Sequence, residues 1–336
     1  MAKSKNNETP QGPRKKPVSD EKSASTEHVS AAEGASVQRG ASAQSRRLEI
    51  SKTYKLYING AFVRSERGYV LPLRAKQGDV VTHYAHASRK DLRNAVQAAR
   101  KVQTAWQARS AFNRSQILYR LAEMLESRKE SFHARLRQHA NLSAKDANTM
   151  LELAIDHVFS YAGWADKYAQ VSSAQNPVST PFFNVTMPEP TGVVVALPAK
   201  NSVLLGITAL LLPIILSGNT CVLVVDNPAP TIALELAEVI ATSDIPPGVV
   251  NVLAGTWEEL LPHAAQHMDV NSLALWGANP KEAIKAQQLS TENVKRVQLF
   301  PSIPKAVDQW AKRAQPSLYR ITPFVEWKTL WHPIGV

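Results

Sequence analysis

Two features of the sequence have residue types and spacings that could carry out chemistry. Cys221 is the only cysteine, and a cysteine thiolate can act as a nucleophile. His263 and His267 stand four residues apart, which is the spacing at which two histidines on one helix face can bind a metal ion. The first feature would indicate covalent catalysis, and the second a metal site.

The surroundings of both features favour structural roles. Cys221 lies inside an apolar run predicted as a buried strand, where no neighbouring cation would stabilise the thiolate. The residues between the two histidines lack the glutamate of an H-E-x-x-H motif and no third ligand is evident, so an ordinary helix surface is favoured. Asp156 and His157 are adjacent on a predicted helix, which points their side chains in different directions. We therefore predict neither a metal site nor a Ser/His/Asp arrangement.

Composition limits the class of protein further. The 336 residues, 44% of them hydrophobic, can bury a substantial core in one large domain or two small ones. The longest apolar run, Val203 to Leu216, is too short to span a membrane. A single cysteine excludes an intramolecular disulfide framework, and no apolar signal-peptide segment is present. These observations predict a cytoplasmic protein.

The net charge of +11 suggests an anionic partner, and part of that charge lies in the first residues. Residues 1–47 contain nine Lys and Arg residues against five Asp and Glu residues, and no aromatic, Ile or Leu residue. Such a stretch buries too little apolar surface to offset the entropy of ordering, so we predict a disordered basic tail over residues 1–50. Arg14, Lys15 and Lys16 could attract nucleic acid, but without interleaved aromatic residues a solvated tail is favoured.

The elements that follow the tail begin with a hairpin and three helices. Strand signals flank Asn59-Gly60, the dipeptide that best satisfies the positive φ angles of a tight hairpin turn. Helices are predicted over about 91–105, 113–139 and 144–169. We expect all three helices to pack on a sheet.

From residue 191 onward, β-branched runs alternate with helical segments. Strands are predicted at 191–197, 220–225, 249–253, 272–276 and 294–299, separated by helices at 203–216, 231–241, 257–266 and 281–289. This alternation predicts a doubly wound, Rossmann-like parallel sheet with flanking helices, in an α/β fold. Ligands bind such a sheet at the carboxyl ends of its strands, although the Gly-x-Gly-x-x-Gly fingerprint of dinucleotide binding is absent.

Several ordered motifs resemble the aldehyde dehydrogenase superfamily. They are Glu189-Pro190-Thr191-Gly192-Val193-Val194, Leu216-Ser217-Gly218-Asn219-Thr220, Ile245-Pro246-Pro247-Gly248-Val249 and Asn293-Val294-Lys295-Arg296-Val297. The resemblance covers about residues 52–300 and a terminal strand, and it implies a nucleotide-binding domain at 51–300. Residues 174–190 and 321–336 resemble the strands through which these enzymes form oligomers, so we expect a small β element made from an internal and the C-terminal strand.

The resemblance also implies a missing part. Family members hold their nucleophilic cysteine in a catalytic domain that precedes the terminal strand. In this chain residues 301–320 form a linker in its place, which is too short to fold as a domain. The chain therefore resembles a short form lacking the catalytic domain, similar to the degenerate second module of two-module aldehyde dehydrogenases.

Four residues are expected to remain from the family's site. By resemblance, Asn201 aligns with the asparagine that helps hold the oxyanion, which makes it a vestigial donor, although a purely structural Asn201 is also compatible with the sequence. Lys200, Asn201, Gly255 and Gly277 fall where family members approach the cofactor, so these four are the expected cofactor contacts.

Other family positions have changed. Val224 and Asn227 stand where a lysine and a glutamate hold the adenosine ribose, Trp257 replaces a loop glycine, and Phe300 occupies the position of the general-base glutamate. Asp226 could accept a ribose hydroxyl instead, but a turn-forming role is the simpler account. The resemblance thus implies no catalytic residue, and either no cofactor or weakly bound NAD(P).

Together these features predict a catalytically inactive aldehyde dehydrogenase homologue that serves as a structural or regulatory subunit. Its expected partner, bound through the terminal strand, is a full-length aldehyde dehydrogenase or a second copy of itself. The alternative is an NAD(P)-dependent aldehyde oxidoreductase whose active site is completed by a partner subunit. A third possibility, which is not favoured, is binding of nucleic acid or a membrane surface by the basic tail.

Overall fold

The computed structural model describes residues 51–179, 181–200, 203–226, 230–304 and 306–334. The strands in this part of the chain are β1 (Thr53–Tyr54), β2 (Leu56–Ile58), β3 (Ala61–Val63), β4 (Val70–Arg74), β5 (Val80–Ala85), β6 (Ala174–Gln175), β7 (Phe182–Pro190), β8 (Val193–Leu197), β9 (Thr220–Val225), β10 (Val250–Ala254), β11 (Ser272–Trp276), β12 (Arg296–Phe300) and β13 (Val325–Pro333). The predicted basic tail at 1–50 lies outside the described residues.

Ten α-helices accompany these strands in the described residues. They are α1 (Arg89–Gln107), α2 (Ala111–Ser127), α3 (Lys129–His139), α4 (Ala144–Trp164), α5 (Tyr168–Ser172), α6 (Leu204–Leu216), α7 (Pro230–Ile240), α8 (Trp257–Gln266), α9 (Pro280–Ser290) and α10 (Val307–Arg313). Every helix in this part of the chain is too short or too polar to cross a lipid bilayer.

A sheet of seven strands forms the centre of the fold, in the order β12-β11-β8-β9-β10-β2-β3. The first five strands are parallel, and β2 and β3 add an antiparallel pair at one edge. All residues of β8, β9, β10 and β11 are buried, although successive side chains point to opposite faces. Both faces of the sheet are therefore covered, and the doubly wound α/β fold predicted from the sequence is confirmed.

The predicted hairpin is also confirmed. Asn59 and Gly60 connect β2 to β3 with φ angles of 53° and 77°, as a tight hairpin turn requires. The backbone N–H of Asn59 donates to Oδ1 of Asn251 at 2.9 Å, which fixes the turn to β10. A Cβ atom on Gly60 would lie 2.8 Å from Cβ of Pro247, so no larger residue fits there without movement.

The helical region differs from the prediction in two ways. The expected single helix at 113–139 is wrong, because Arg128 has non-helical backbone angles (φ −106°, ψ 16°) and separates α2 from α3. The expected packing of all three helices on the sheet is wrong in part. Helix α1 packs on β9 and β10, whereas α2 and α4 pack against each other and against α6, forming a second layer.

Two further sheets flank the central one. The sheet β1-β5-β4 was not predicted, because β4 contains Pro72 and leaves most of its side chains at least partly exposed, so its sequence lacks a clear apolar alternation. The sheet β13-β7-β6, which we call the ribbon, joins the internal and C-terminal strands as expected. Its strands β7 and β13 pair antiparallel over nine residues, from Phe182 opposite Pro333 to Pro190 opposite Val325.

Two buried histidines make the stability of the fold sensitive to acid. Burial lowers the pKa of both His139 and His157 from the ordinary 6.5 to about 4. Between those values the unfolded chain binds protons that the native chain does not, so stability falls as the pH drops from 6.5 to 4. Each histidine can contribute up to about 3 kcal/mol to this loss.

We therefore expect His157→Leu to remove roughly half of this loss of stability between pH 6.5 and 4, with His139→Leu removing the other half. Urea unfolding at a series of pH values measures the effect. An unchanged pH dependence in both variants would contradict the assignment.

Candidate functional site

The loops at the carboxyl ends of the parallel strands form the place where a doubly wound sheet binds ligands. Five such loops follow β8 to β12 in this fold. Lys200, Asp226, Gly255 and Gly277 lie in these loops, whereas Val224 and Phe300 lie on β9 and β12, and Trp257 begins α8. Asn201, which was predicted as a vestigial oxyanion donor and cofactor contact, lies outside the described residues, as does Asn227. The described residues of these loops are mostly engaged with one another.

Lys200, in the loop after β8, is paired with a carboxylate. Its Nζ lies 2.7 Å from Oε1 of Glu282 and 5.2 Å from the ring centroid of Trp257. Glu282 also accepts from the backbone N–H of Asn279, which completes a capping box at the start of α9. The ammonium predicted to contact a cofactor is thus already paired with a carboxylate in the first turn of α9.

Asp226, in the loop after β9, points toward the start of α8. Its Oδ2 accepts a hydrogen bond from the backbone N–H of Trp257 at 3.2 Å. The amino end of a helix attracts negative charge, and this carboxylate supplies it from within the chain. Asp226 therefore has a hydrogen-bond partner inside the protein, which is consistent with the local structural role that the sequence favoured.

Gly255 and Gly277 allow close packing of the loops. A Cβ atom on Gly255 would lie 2.7 Å from Cδ1 of Leu260, so the first turn of α8 closes over this glycine. Gly277 has a φ of 73° and donates its N–H to the carbonyl of Phe300 at 2.9 Å. The packing of the loops therefore explains why both positions are glycine, and this explanation does not require a cofactor.

Little space remains beside Asp226. The described residues around it, including Tyr84, Val225, Gly255 and Thr256, leave a cavity of about 20 Å³. Such a volume holds about one or two water molecules, and a ribose ring is considerably larger. This cavity alone is therefore too small for a ribose ring.

Phe300, at the end of β12, belongs to an aromatic cluster. Its ring centroid lies 5.5 Å from that of Trp276 and 6.3 Å from that of Phe324, and Trp276 lies 5.3 Å from Trp310. Trp310 and Phe324 come from the segment between β12 and β13, which folds back over the sheet. The end of β12 is thus covered by apolar rings and carries no carboxylate.

Comparison with known proteins identifies the family. A sequence model described as "Aldehyde dehydrogenase family" matches residues 62–300. The chain belongs to the aldehyde dehydrogenase family. It is 33% identical over 262 residues to the putative aldehyde dehydrogenase DhaS of Bacillus subtilis (strain 168), covering 76% of this chain and 52% of that protein.

Solved aldehyde dehydrogenases and related structures share the fold. PnpE from Pseudomonas sp. WBC-3 superposes with a TM-score of 0.70 at 27% identity, over 74% of this chain and 50% of PnpE. PnpE in complex with nicotinamide adenine dinucleotide gives the same TM-score at 26% identity. The chain spans about half the length of the curated relatives and solved structures that it matches.

In this aldehyde dehydrogenase homologue, Cys221 is buried in the middle of the fold. It lies on β9, the central strand of the seven, between β8 and β10, and it is a free thiol. Complete burial raises its pKa far above the ordinary value, because no water or cation stabilises the thiolate. Val224, which the resemblance aligned with a ribose anchor, is also a buried residue of β9.

We therefore expect Cys221 to react with a thiol reagent at least about a thousandfold more slowly in the native chain than in guanidinium chloride. Release of the chromophore from 5,5′-dithiobis(2-nitrobenzoate) measures both rates. Rapid stoichiometric labelling of the native chain at pH 7 would show that the thiol is accessible.

The two spaced histidines have separate structural surroundings. His263 lies on α8, but His267 follows the last residue of that helix, and its Nδ1 accepts from the backbone N–H of Asp269 at 3.2 Å. Within the described residues, no group of three or more His, Cys, Asp or Glu side chains is placed to hold a metal ion.

The sequence did not predict the contacts of three residues at this site. Glu282 neutralises Lys200 across 82 positions of chain, and Trp276 and Trp310 cover the end of β12. The Asn279-Pro280-Lys281-Glu282 sequence is a capping signal and could have placed Glu282 at the start of α9. No local pattern indicates which lysine that carboxylate meets.

Proposed function

We propose that this aldehyde dehydrogenase homologue is a non-catalytic structural or regulatory subunit that binds a full-length aldehyde dehydrogenase through the ribbon. The observation that carries the proposal is the ribbon itself, which presents large apolar side chains to solvent on both faces. An exposed apolar surface of this kind is typical of a protein interface.

The register of β7 and β13 assigns these side chains to the two faces. Trp327, Trp331 and Phe182 share one face, where the rings of Trp331 and Phe182 lie 5.9 Å apart. Leu330 and Phe183 share the other face. Trp327, Leu330 and Trp331 are 47%, 53% and 55% exposed. A partner that packs on either face would bury these side chains.

One edge of the ribbon is also open to pairing. In the sheet order β13-β7-β6, strand β13 pairs on one side with β7 and has no strand on its other side within the described residues. An edge strand can extend the sheet of another subunit by main-chain hydrogen bonds. This edge, together with the two apolar faces, supports pairing with a full-length enzyme or with a second copy.

The base of the ribbon is held firmly to the central sheet. Nδ2 of Asn219 donates to the carbonyl of Phe324 at 2.8 Å, and its Oδ1 accepts from the N–H of Gly192 at 2.7 Å. Arg296 donates to the carbonyl of Val325 at 2.5 Å. These contacts come from the family motifs around Asn219 and Arg296. These motifs therefore attach the ribbon to the central sheet, which supports a role in assembly.

The proposal of inactivity rests on the loops of the sheet. Lys200 is neutralised by Glu282, Asp226 is engaged by α8, and Phe300 stands within an aromatic cluster. Cys221 is buried, and the described residues between β12 and β13 form a short covering segment. The thiol of Cys221 is not exposed to attack an aldehyde, and Phe300 cannot act as the base that would activate water for hydrolysis of a thioester.

Co-purification tests the proposed pairing. The tagged full chain would be co-expressed with a full-length aldehyde dehydrogenase from the same organism, and the eluate analysed by size-exclusion chromatography with light scattering. We expect one peak that contains both chains, or a homo-oligomer of this chain. Elution of the chain as a monomer, with no enzyme retained, would contradict the proposed pairing.

A second candidate is an NAD(P)-dependent aldehyde oxidoreductase whose site is completed by a partner. It is favoured by the similarity to PnpE, whose structure was solved with nicotinamide adenine dinucleotide. Calorimetric titration of NAD and NADP into the full chain separates the two functions. Micromolar binding supports the oxidoreductase, and our proposal predicts binding that is weak or undetectable.

A further inference from the structure

A pocket of about 400 Å³ lies where the segment after β12 folds back over the ends of β11 and β12. We call it the linker pocket. Its floor is apolar and consists of Trp276, Phe300, Pro301 and Ile303, whereas Arg313 and Arg320 stand at its rim. The volume falls within the range of small-molecule sites, and the pocket combines apolar walls with a few polar groups as such sites do.

The guanidinium of Arg320 is held in a fixed orientation. Its Nε donates to the carbonyl of Gln315 at 3.2 Å, Nη2 donates to the carbonyl of Arg313, and Cζ lies 4.7 Å from the ring centroid of Trp276. These contacts use two of its five N–H groups. The partly buried cation is therefore positioned in advance, with further donors available for a ligand.

Neither guanidinium at the rim is neutralised by the protein. Among the described residues, no Asp or Glu forms an ion pair with Arg313 or Arg320, and none lines the pocket. Burial lowers the pKa of Arg320, because the cation loses water without gaining a carboxylate. Two uncompensated guanidinium groups beside an apolar floor leave a place for an anion.

We propose that the linker pocket binds a small carboxylate with a flat, unsaturated body. A planar guanidinium fork matches the geometry of a carboxylate, which would lie at the rim between the two arginines. The flat body would lie against the partly exposed ring of Phe300, because Trp276 is 2% exposed and its ring is already covered by the Arg320 guanidinium. Inorganic phosphate satisfies the arginines but leaves the floor uncovered, so a carboxylate with an attached ring is the better match.

This site does not depend on the proposed pairing, because every lining residue belongs to this chain. Its residues come partly from the family-matched region, as Trp276 and Phe300 do, and partly from the segment before the terminal strand, and no local pattern predicts that they meet. Binding can be measured on the full chain alone, so a failure here is distinguishable from a failure of the pairing experiment.

Isothermal titration calorimetry with benzoate as the probe tests the proposal. We expect saturable binding of benzoate to the full chain, and binding at least about tenfold weaker for benzyl alcohol, which lacks the charge. Inorganic phosphate and acetate, which lack the ring, should also bind more weakly than benzoate.

Two variants locate the site. Arg313→Gln should weaken benzoate binding by about tenfold or more, because it removes one charge-assisted contact from an exposed side chain that the fold does not need. Arg320→Lys keeps the charge but loses the fork, and should weaken binding similarly. Arg120→Gln, on the exposed surface of α2, removes the same charge far along the sequence and should leave the affinity unchanged.

The absence of saturable benzoate binding would overturn the proposal, as would equal affinity in the wild-type chain and Arg313→Gln. Tighter binding of phosphate than of benzoate would show that the pocket prefers a different anion and would equally overturn it. Far-UV circular dichroism of each variant confirms that the fold is intact before affinities are compared.

Discussion

Trp310→Ala is expected to lower the free energy of unfolding by about 3 to 5 kcal/mol. Trp310 is 1% exposed, and its ring packs against that of Trp276 at the end of β11. Its helix α10 also packs on α4, so the side chain joins the covering segment to two parts of the core. Removal of the indole leaves a cavity that the surrounding sheet cannot close. Urea unfolding followed by circular dichroism measures the change.

A matched substitution gives the control. Trp331→Ala removes the same side chain from the exposed ribbon, where only the edge contact with Phe182 is lost, and should cost about 1 kcal/mol or less. Equal destabilisation by the two substitutions, or a change below about 1 kcal/mol for Trp310→Ala, would show that the covering segment does not belong to the cooperative core.

The second large effect concerns assembly. Combined replacement of Trp327 and Trp331 by alanine should weaken association with a full-length aldehyde dehydrogenase by at least about a hundredfold, because buried tryptophans contribute about 2 kcal/mol or more each at an interface. Both residues lie on the same face of the ribbon. Surface plasmon resonance with the wild-type chain and the double variant measures the ratio of the dissociation constants.

Phe112→Ala provides the comparison for that experiment. Phe112 is also a large exposed aromatic residue, but it lies on α2 and not on the ribbon. We expect its replacement to leave the affinity within about threefold of the wild-type value. Loss of binding in both variants would indicate nonspecific adhesion of exposed rings, and unchanged binding in both would exclude the ribbon as the interface.

The central sheet could be predicted because short sequence patterns indicate its strands and its hairpin turn. Continuous β-branched runs such as 220–225 indicate strands buried on both faces, and Asn59-Gly60 indicates the hairpin. The prediction failed where tertiary contacts decide the backbone. Val294 was assigned to a strand but has a φ of 52°, so that β12 begins at Arg296. Arg128 likewise interrupts a sequence with continuous helical periodicity.

For the site, the sequence predicted only which positions differ from the family pattern, and not what those residues contact. The resemblance placed Lys200 and Phe300 at the carboxyl ends of the strands, and the structure shows them there. Their partners lie far away in the sequence, since Lys200 meets Glu282 and Phe300 packs near Phe324. Such contacts depend on how segments that follow different strands pack together. The spacing of residues within one segment cannot predict them.

We propose that this aldehyde dehydrogenase homologue has the scaffold and the ribbon of the family but no catalytic activity. The most direct test is an assay of the purified full chain for aldehyde oxidation with NAD and NADP, followed by the absorbance of the reduced cofactor. We predict a rate equal to that of the reaction without protein. Substantial turnover that Cys221→Ala abolishes would contradict the claim, because it would require the buried thiol on β9 to act as the nucleophile.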